Sequence, residues 1–433
     1  MPEDRPPENK NNPSKDVVGD IFKKGIKKDK PSSLFDAAKP VLPEEHGSLG
    51  QEKKSEPAVA PAVPAERSFV FRAKSKNALP FGIDVGDHSL KIVQLAKGDA
   101  GPELSKIILK EFPGDVIEKK QDRGAFLIKI FKDTLKEHNL KNEAFCALSS
   151  SKVQIKNLVF PKMPFKEIEG AIAWEIRQMS AGEAQGVTYD YVVLDEDQLA
   201  HQEKIEVLLI VSPKKDVLDY LSFFESAGIK ILAVDTESLS HLASLNYNQL
   251  LQSQEVALVL DFGGNASRLD IIKDRQLRFT RGLTTGGLTL TQAIKNYCHV
   301  SFEEAEALKK NYSLMKAQED SSGHWLQVKN AVNLLLEKLA MDIDHTFKYY
   351  SYQMTKSAVT AFTKVILSGG LANLEIVSSF LRDRVKAEII VDNPLKRIHM
   401  PQGTAQDAAI PANEHVRFGV AFGLALRGLN QEK

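Results

Sequence analysis

Two stretches of the chain share one pattern of apolar and polar positions. Each has an apolar run, then Asp-x-Gly, and then a second apolar run after a few small or polar residues: Phe81–Leu95 and Val259–Ile272. Such a pattern predicts a strand, a tight glycine turn and a second strand. A single hairpin of this kind is often an ordinary turn. Two copies, about 180 residues apart, predict a protein of two lobes with one hairpin in each.

The residues after the first hairpin alternate between strand and helix patterns. Short apolar or alternating runs predict strands, and apolar residues at helical spacing predict a helix. The predicted elements are a strand at Leu104–Phe112, a helix at Asp122–His138, and strands at Ala144–Leu148 and Val153–Phe160. This succession is typical of an α/β layer, so the first lobe is predicted to be α/β.

A proline-flanked break then introduces a block with a different pattern. Apolar residues at helical spacing predict a helix at Glu167–Met179, in which Trp174 is expected to pack in the core or within the subdomain. Two strands joined by a polar loop are predicted next, at Thr188–Leu194 and Lys204–Val211. The block therefore predicts a small α+β subdomain inserted in the first lobe.

The second lobe is predicted to repeat the order of hairpin, third strand and helices. The pair Lys309-Lys310 is expected on a solvated helix face. The remaining predicted elements are a helix and strand at Lys214–Ala227 and Ile231–Val234, a helix starting at Asp235–Ala243, a strand at Gln276–Arg281, helices at Leu288–Ile294, Phe302–Leu308 and Val328–Tyr352, strands at Lys364–Leu367 and Ile389–Val391, and a C-terminal helix at Phe418–Arg427.

The N-terminal residues have a composition of their own. They hold more than half of the 19 prolines and few large apolar residues, which predicts a disordered tail. An island at Asp16–Lys28 could be a docking helix or a solvated part of that tail. The predicted domains are 1–77, the tail; 78–156, first lobe; 157–212, inserted subdomain; 213–254, first lobe and connecting helix; 255–410, second lobe; and 411–433, connecting helix back to the first lobe.

Composition narrows the functional class. The 433 residues carry 57 basic and 57 acidic side chains, which argues against a nucleic-acid binder. The two cysteines, Cys146 and Cys298, have no metal-ligand or disulfide spacing, and there is no apolar run of about 18 residues and no secretory signal. A cytoplasmic protein is therefore expected.

The two Asp-x-Gly turns have the chemistry of a phosphate site. Glycine turns aim backbone N–H groups at phosphate oxygens, and the hydroxyls of Ser89 and Ser267 could donate as well. Mg²⁺ takes one or two carboxylates together with waters, so Asp84 and Asp261 are the candidate metal pair. At Ser368-Gly369-Gly370 the missing side chains would let a ribose or a base approach the backbone.

The order of these motifs over about residues 79 to 428 resembles the actin-like ATPase superfamily, and within it the PilM family of type IV pilus assembly proteins. The motifs that carry the resemblance are the two hairpins, the helix start at Asp235-Thr236-Glu237, the stretches Phe160–Pro164, Ala173–Glu175 and Ala227–Ile229, the Gly286-Gly287 turn after Arg281, the Ser368–Asn373 segment and the Phe422–Arg427 ending.

This resemblance implies an actin-like fold of two RNase H-like lobes around a nucleotide cleft. It implies ATP and Mg²⁺ as cofactors, Glu237 as the residue that orients water for at most slow hydrolysis, and metal contacts at Asp84 and Asp261. A first-turn Glu stabilised by the helix dipole is the alternative for Glu237. The implied cofactor-binding residues are Gly86, Asp87, His88, Ser89, Lys91, Gly263, Gly264, Asn265, Ser267, Gly286, Gly287, Thr291, Ser368, Gly369, Gly370 and Asn373.

The implied partners are the N-terminal peptide of the membrane protein PilN and other proteins of the inner-membrane pilus platform. Self-association is left open, and nucleic acid is not expected. Two rival functions belong to the same superfamily: an FtsA-like division or filament-forming protein, and a small-molecule kinase. The first would need a membrane helix after the last fold element, and the second a catalytic Asp in the cleft, for which the sequence has no clear candidate.

The chain departs from the family pattern in both turns. Relatives carry Ser or another small residue after the first Asp-x-Gly, whereas Asp87-His88 stands here, and Ala266 removes a hydroxyl from the second turn. An acidic side chain close to phosphates opposes the anion.

Overall fold

The computed structural model of the protein describes residues 80–98, 101–119, 123–179, 186–194, 203–312, 323–355, 362–400 and 410–430. The predicted tail at 1–77 and its island at 16–28 lie outside these residues. Within them there are thirteen strands and ten α-helices, and none of these helices combines the length and the apolar character needed to cross a bilayer.

The first lobe is built on a five-stranded sheet of order β3-β2-β1-β4-β8. The predicted hairpin forms its centre, because β1 and β2 pair antiparallel, and β4 and β8 extend the sheet in parallel on the other side. The strands are β1 Phe81–Val85, β2 Ser89–Gly98, β3 Gly101–Glu111, β4 Glu143–Leu148 and β8 Lys230–Thr236.

The second lobe repeats this arrangement in a sheet of order β11-β10-β9-β12-β13. Its hairpin is again central and antiparallel, and the two later strands are parallel. The strands are β9 Val256–Phe262, β10 Ser267–Lys273, β11 Gln276–Leu283, β12 Lys364–Gly369 and β13 Glu388–Val391. The turns of the two hairpins therefore occupy equivalent positions in two similar sheets.

The helices agree broadly with the apolar periodicity. The predicted helix that ends at Tyr352 instead changes to a π-helix at Tyr350–Thr355, and short 3-10 segments lie at Gly370–Asn373 and Ala412–Phe418. The α-helices are α1 Gly114–Lys119, α2 Arg123–Glu137, α3 Phe165–Met179, α4 Lys214–Ser226, α5 Glu237–Tyr247, α6 Gly287–Cys298, α7 Phe302–Lys310, α8 Trp325–Tyr349, α9 Glu375–Arg384 and α10 Gly419–Asn430.

Helix α5 begins later than the sequence pattern predicts. Asp235 and Thr236 still belong to strand β8, and Glu237 is the first helical residue. The side chain of Thr236 accepts the backbone N–H of Leu239 and caps the helix. The strand therefore leads directly into the helix, which fixes Glu237 at the helix start.

The inserted block forms a third, antiparallel sheet of order β5-β7-β6 that α3 covers on one face. Its strands are β5 Gln154–Pro161, β6 Val187–Val193 and β7 Lys204–Pro213. Ile168, Ile172 and Ile176, four residues apart along α3, are buried together with β7. Strand β5, predicted at Val153–Phe160, begins at Gln154 and pairs with β7 in this sheet. Trp174 is 54 % exposed, so the prediction that it packs in the core or within the subdomain is wrong.

Helices α5 and α10 cross at backbone contact distance. A Cβ at Gly423 of α10 would overlap the backbone oxygen of Ser240 in α5, and one at Gly82 of β1 would overlap that of Ala421. Glycine is needed here because any side chain would push the elements apart. The crossing holds α10 between the first-lobe sheet and α5.

The chain also returns from the second lobe to the first beyond β13. In the segment Asp392–Met400, the backbone oxygen of His399 accepts the N–H of Leu104 at 2.9 Å, in a parallel bridge with Glu103 of the outermost strand β3. Leu395 and Ile398 pack in a cluster with first-lobe residues. This segment thus ties the second lobe to the edge of the first sheet.

Candidate functional site

A cavity of about 720 Å³ lies between the lobes, where the turns of the two hairpins face each other. This volume is in the range of small-molecule sites. Most residues predicted to bind a cofactor, a metal or water line it: Asp84, Gly86, Asp87, His88, Ser89, Lys91, Glu237, Asp261, Gly263, Gly264, Ser267, Gly287, Ser368, Gly369, Gly370 and Asn373.

Three predicted residues, Asn265, Gly286 and Thr291, are not part of the cavity wall. The N–H groups of Gly287 and Leu288, at the start of α6, donate to the backbone oxygens of Gly263 and Gly264, at 2.9 and 2.8 Å. Gly286 is pressed against the same turn, with a Cβ position 2.9 Å from Gly264 C. The start of α6 therefore supports the second hairpin turn.

Thr291 lies beneath the wall in a buried polar cluster. Its hydroxyl accepts from Lys309 Nζ at 2.9 Å and lies 2.7 Å from Glu306 Oε2. Lys309 is 6 % exposed, so the prediction that the Lys309-Lys310 pair lies on a solvated face is wrong for Lys309. Burial lowers the pKa of Lys309, and Glu306 opposes that shift. The cluster gives this wall a desolvated ion pair.

Asp84 of the first hairpin has a lysine partner directly across the strand pair. Lys91 stands opposite Asp84 in the β1–β2 register, and its Nζ lies 2.7 Å from Asp84 Oδ2. Both side chains are largely buried in the cavity wall. The first candidate metal ligand is therefore already neutralised by a cation of the protein.

The second hairpin repeats this geometry with an arginine. Arg268 stands opposite Asp261 in the β9–β10 register, and its Nη2 lies 3.0 Å from Asp261 Oδ2. In both hairpins the basic residue follows the Asp by seven positions. That spacing is visible in the sequence and could have identified Arg268, which sequence reasoning missed.

Arg268 is the centre of a buried charge cluster. Its side chain is 3 % exposed and pairs with Asp270 at 2.9 Å and Glu237 at 3.2 Å, in addition to Asp261. Burial alone would lower the pKa of Arg268, but these three carboxylates outweigh it and raise the pKa. One fixed positive charge therefore compensates three acidic side chains from α5, β9 and β10.

Glu237 is held at the cavity by two donors. The backbone N–H of Ser150 donates to Oε2 at 3.0 Å, and Arg268 Nη1 donates to the same oxygen at 3.2 Å. Burial raises the pKa of Glu237, while Arg268 opposes the shift. The predicted catalytic carboxylate thus lines the cavity with one oxygen already engaged.

His241 continues the cluster away from the cavity. Its Nδ1 lies 3.3 Å from Arg268 Nη2, and its Nε2 lies 3.1 Å from Asp392 Oδ2. A guanidinium can only donate, so Nδ1 accepts and the ring proton is on Nε2, which donates to Asp392. The cavity is therefore linked by hydrogen bonds to the segment that follows β13.

Three predicted hydroxyls already have protein partners. Ser267 Oγ donates to Thr285 O at 2.6 Å, and Ser368 Oγ donates to Val416 O at 3.0 Å. Ser89 Oγ accepts from Arg417 at 2.9 Å, so its proton is still available. Only Ser89 of these three can donate to a ligand without losing a hydrogen bond within the protein.

Gly369, His88 and Arg417 also line the cavity wall. Gly369 has a φ of +79° beside Phe262, a conformation that favours glycine and brings the backbone to the cavity. Burial, with Lys309 nearby, lowers the pKa of His88 to about 4, so the ring is neutral at neutral pH. Arg417, also missed by sequence reasoning, adds a cation that Glu111 and Glu414 partner.

The donor set at the cavity fits a cation only with help from a ligand. Within the described ranges, no group of three or more His, Cys, Asp and Glu side chains could hold a metal ion. Asp84 and Asp261 supply two carboxylates, and Mg²⁺ takes its other oxygens from waters and phosphates. The residues therefore fit a Mg²⁺ that arrives with a phosphate ligand.

Similarity to a known family extends over most of the chain. Residues 82–429 match the family described as type IV pilus assembly protein PilM. The solved structure of a PilM-PilN type IV pilus biogenesis complex is 23 % identical, covers 81 % of this chain and 99 % of that chain, and superposes with a TM-score of 0.67. This likeness confirms the predicted actin-like fold.

Two more distant similarities were found. MreB 5 of Spiroplasma citri, solved bound to AMPPNP, is 12 % identical over 81 % of this chain and 96 % of its own, with a TM-score of 0.44. The cell division protein FtsA of Enterococcus faecalis is 42 % identical over 55 residues, 13 % of this chain. That match spans only 12 % of FtsA.

Proposed function

This chain belongs to the family of the type IV pilus assembly protein PilM, and on that premise we propose that it is a cytoplasmic, ATP-binding scaffold of the inner-membrane pilus platform. It reaches the membrane through partners, by docking the N-terminal peptide of a PilN-type protein. Bound nucleotide sets the angle between the lobes and so favours or disfavours that peptide. The observation that carries the proposal is the cavity between two equivalent Asp-x-Gly turns in a member of this family.

Nucleotide binding is supported by the composition of the cavity wall. Backbone turns from both lobes meet there, and the cationic groups of Lys91, Lys309 and Arg417, each paired with a carboxylate of the protein, line the same wall. Gly370 has open space beside its backbone at the Ser368–Gly370 turn, where a ribose and base can approach. The phosphates then lie between the hairpins and contact both lobes.

Mg²⁺ accompanies the nucleotide in this proposal, held by Asp84 and Asp261. When bound, it neutralises phosphate charge and orients the phosphates. Lys91 and Arg268 hold both carboxylates in place before the cation arrives. Because these two bases also neutralise the carboxylates, the site holds the cation less tightly than an unpaired Asp pair would.

The nucleotide acts mainly as a switch, because Glu237 is already engaged by Arg268 and Ser150. Any turnover still depends on Glu237 to orient the attacking water.

We expect Glu237→Ala to reduce ATP hydrolysis by about a hundredfold and to leave the affinity for ATP nearly unchanged. Phosphate release and equilibrium binding measure the two quantities separately. Turnover equal to that of the wild type would show that Glu237 has only its structural role.

Peptide docking is proposed for the groove between the inserted subdomain and the first lobe. Trp174 on α3 is an exposed aromatic side chain of this subdomain, and exposed aromatic side chains are common anchors at interfaces. Anisotropy of a labelled PilN N-terminal peptide should show binding that changes with ATP. Trp174→Ala should weaken it about tenfold or more.

The matched control for the peptide experiment is Leu326→Ala. Leu326 is also exposed and apolar, at 63 %, but lies on α8 of the second lobe. If the two variants weaken peptide binding equally, the peptide does not bind at the inserted subdomain. No peptide binding with or without ATP would overturn the proposed partner.

A further inference from the structure

The turns of the two hairpins contact each other through Asp87. Its Oδ2 accepts the backbone N–H of Asn265 at 2.8 Å, which joins the first lobe to the second. A Cβ at Gly264 would lie 2.7 Å from the Cβ of Asp87. Asp87 can approach the second turn this closely because residue 264 is glycine.

Arg123 holds the first turn from another side. Its Nη2 donates to the backbone oxygen of Gly86 at 2.8 Å, and its Nη1 lies 3.8 Å from Asp87 Oδ1. The Asp87 carboxylate is therefore fixed between a cation of the first lobe and a backbone donor of the second. The departure from the family sequence at this position thus forms a direct contact between the lobes.

A carboxylate oxygen on a turn N–H makes the contact that a phosphate oxygen would make there. We propose that Asp87 is a clasp that distinguishes nucleotides by phosphate number: the terminal phosphate of a nucleoside triphosphate must displace it from Asn265, whereas a nucleoside diphosphate leaves it in place. This inference rests on the proposed nucleotide binding, in which the base and ribose lie at Ser368–Gly370 and the phosphates extend towards the hairpins. The phosphate farthest from the base is then the one that meets the clasp.

The Asp87–Asn265 contact affects both the nucleotide preference and the separation of the two turns. Asp87 repels the terminal phosphate and competes with it for the Asn265 N–H, so the wild-type protein favours ADP over ATP. The two turns are clasped in the ADP form and separated by the terminal phosphate in the ATP form. The difference between the two nucleotide states is therefore located at one side chain.

Calorimetric titration with ADP and with a non-hydrolysable ATP analogue tests the clasp in the full chain. We expect Asp87→Ala to bind the ATP analogue about tenfold more tightly than the wild type does, with the ADP affinity changed less than about threefold. Asp87→Asn keeps an acceptor for Asn265 without the charge and should give a smaller gain. Without nucleotide, Asp87→Ala should speed hydrogen exchange at the Asn265 amide.

Asp115→Ala is the matched control, because Asp115 is an exposed carboxylate of the same lobe outside the cavity wall. A similar gain in that variant would show a general charge effect and overturn the clasp. Equal shifts for both nucleotides in Asp87→Ala, or weaker binding of the ATP analogue, would overturn the clasp and leave nucleotide binding intact. If neither nucleotide binds any of the proteins, the proposed function is wrong, and the clasp with it.

Discussion

Arg268→Ala is expected to lower the free energy of unfolding by about 3–5 kcal/mol, the usual cost of removing one partner from a buried ion cluster. Arg268 is the shared partner of Glu237, Asp261 and Asp270, and it is almost fully buried. Without it, three acidic side chains repel one another at the start of α5 and in the second hairpin. Urea unfolding followed by circular dichroism measures the loss.

The loss should also depend on pH. Burial raises the pKa of Glu237, and Arg268 opposes that rise, so the variant raises this pKa further. A carboxyl whose folded-state pKa is raised costs stability as pH rises from the unfolded-state pKa through the folded-state pKa, because over that range the unfolded chain has released a proton that the folded protein still holds. The deficit of Arg268→Ala should therefore be smaller at about pH 5 than at about pH 8.

Arg281→Ala is the control for this prediction. Arg281 lies on the neighbouring strand β11, is 42 % exposed, and is 4.0 Å from Asp342. An exposed pair of this kind contributes less than about 1 kcal/mol. Equal losses for the two arginine variants would contradict the central role assigned to Arg268.

The second large effect is expected at the crossing of the connecting helices. Gly423→Ala places a methyl group against the backbone of Ser240, which cannot rotate away as a side chain can. We expect a loss of about 3 kcal/mol or more, at the upper end of the cost of overpacking. Thermal and urea unfolding both measure it.

Gly170→Ala is the control, and it is expected to raise the free energy of unfolding instead of lowering it. Gly170 lies in the exposed part of α3, and a Cβ there would meet nothing within 4 Å. Alanine should stabilise this helix by about 0.5–1 kcal/mol, because glycine is a poor helix former. If Gly423→Ala left the free energy of unfolding unchanged, α5 and α10 could move apart without loss of stability.

The sequence predicts the hairpins well because each of their signals is local. An apolar run, Asp-x-Gly and a second apolar run define both strands and the turn within fifteen or fewer residues, and α3 follows from isoleucines spaced by four. The partners of the candidate metal ligands were missed for a different reason. They depend on strand register, which places Lys91 opposite Asp84 and Arg268 opposite Asp261.

Contacts between segments far apart in the sequence account for the other differences between the predicted and the observed structure. Strand β5 has the pattern of any half-buried strand, and only its pairing with β7 assigns it to the inserted sheet. Lys309 lies on an ordinary charged helix, and its burial depends on Thr291 and Glu306. The Asp87–Asn265 contact joins residues 178 positions apart and depends on how the lobes close.

The return of the chain from β13 to the first lobe has a consequence for self-assembly. An outermost strand with unpaired backbone groups is a template on which a second copy can add a strand. Here the protein's own His399 accepts the Leu104 N–H, and Leu395 and Ile398 cover the neighbouring apolar residues. The part of β3 around Leu104 is therefore closed to strand addition by a second copy of the chain.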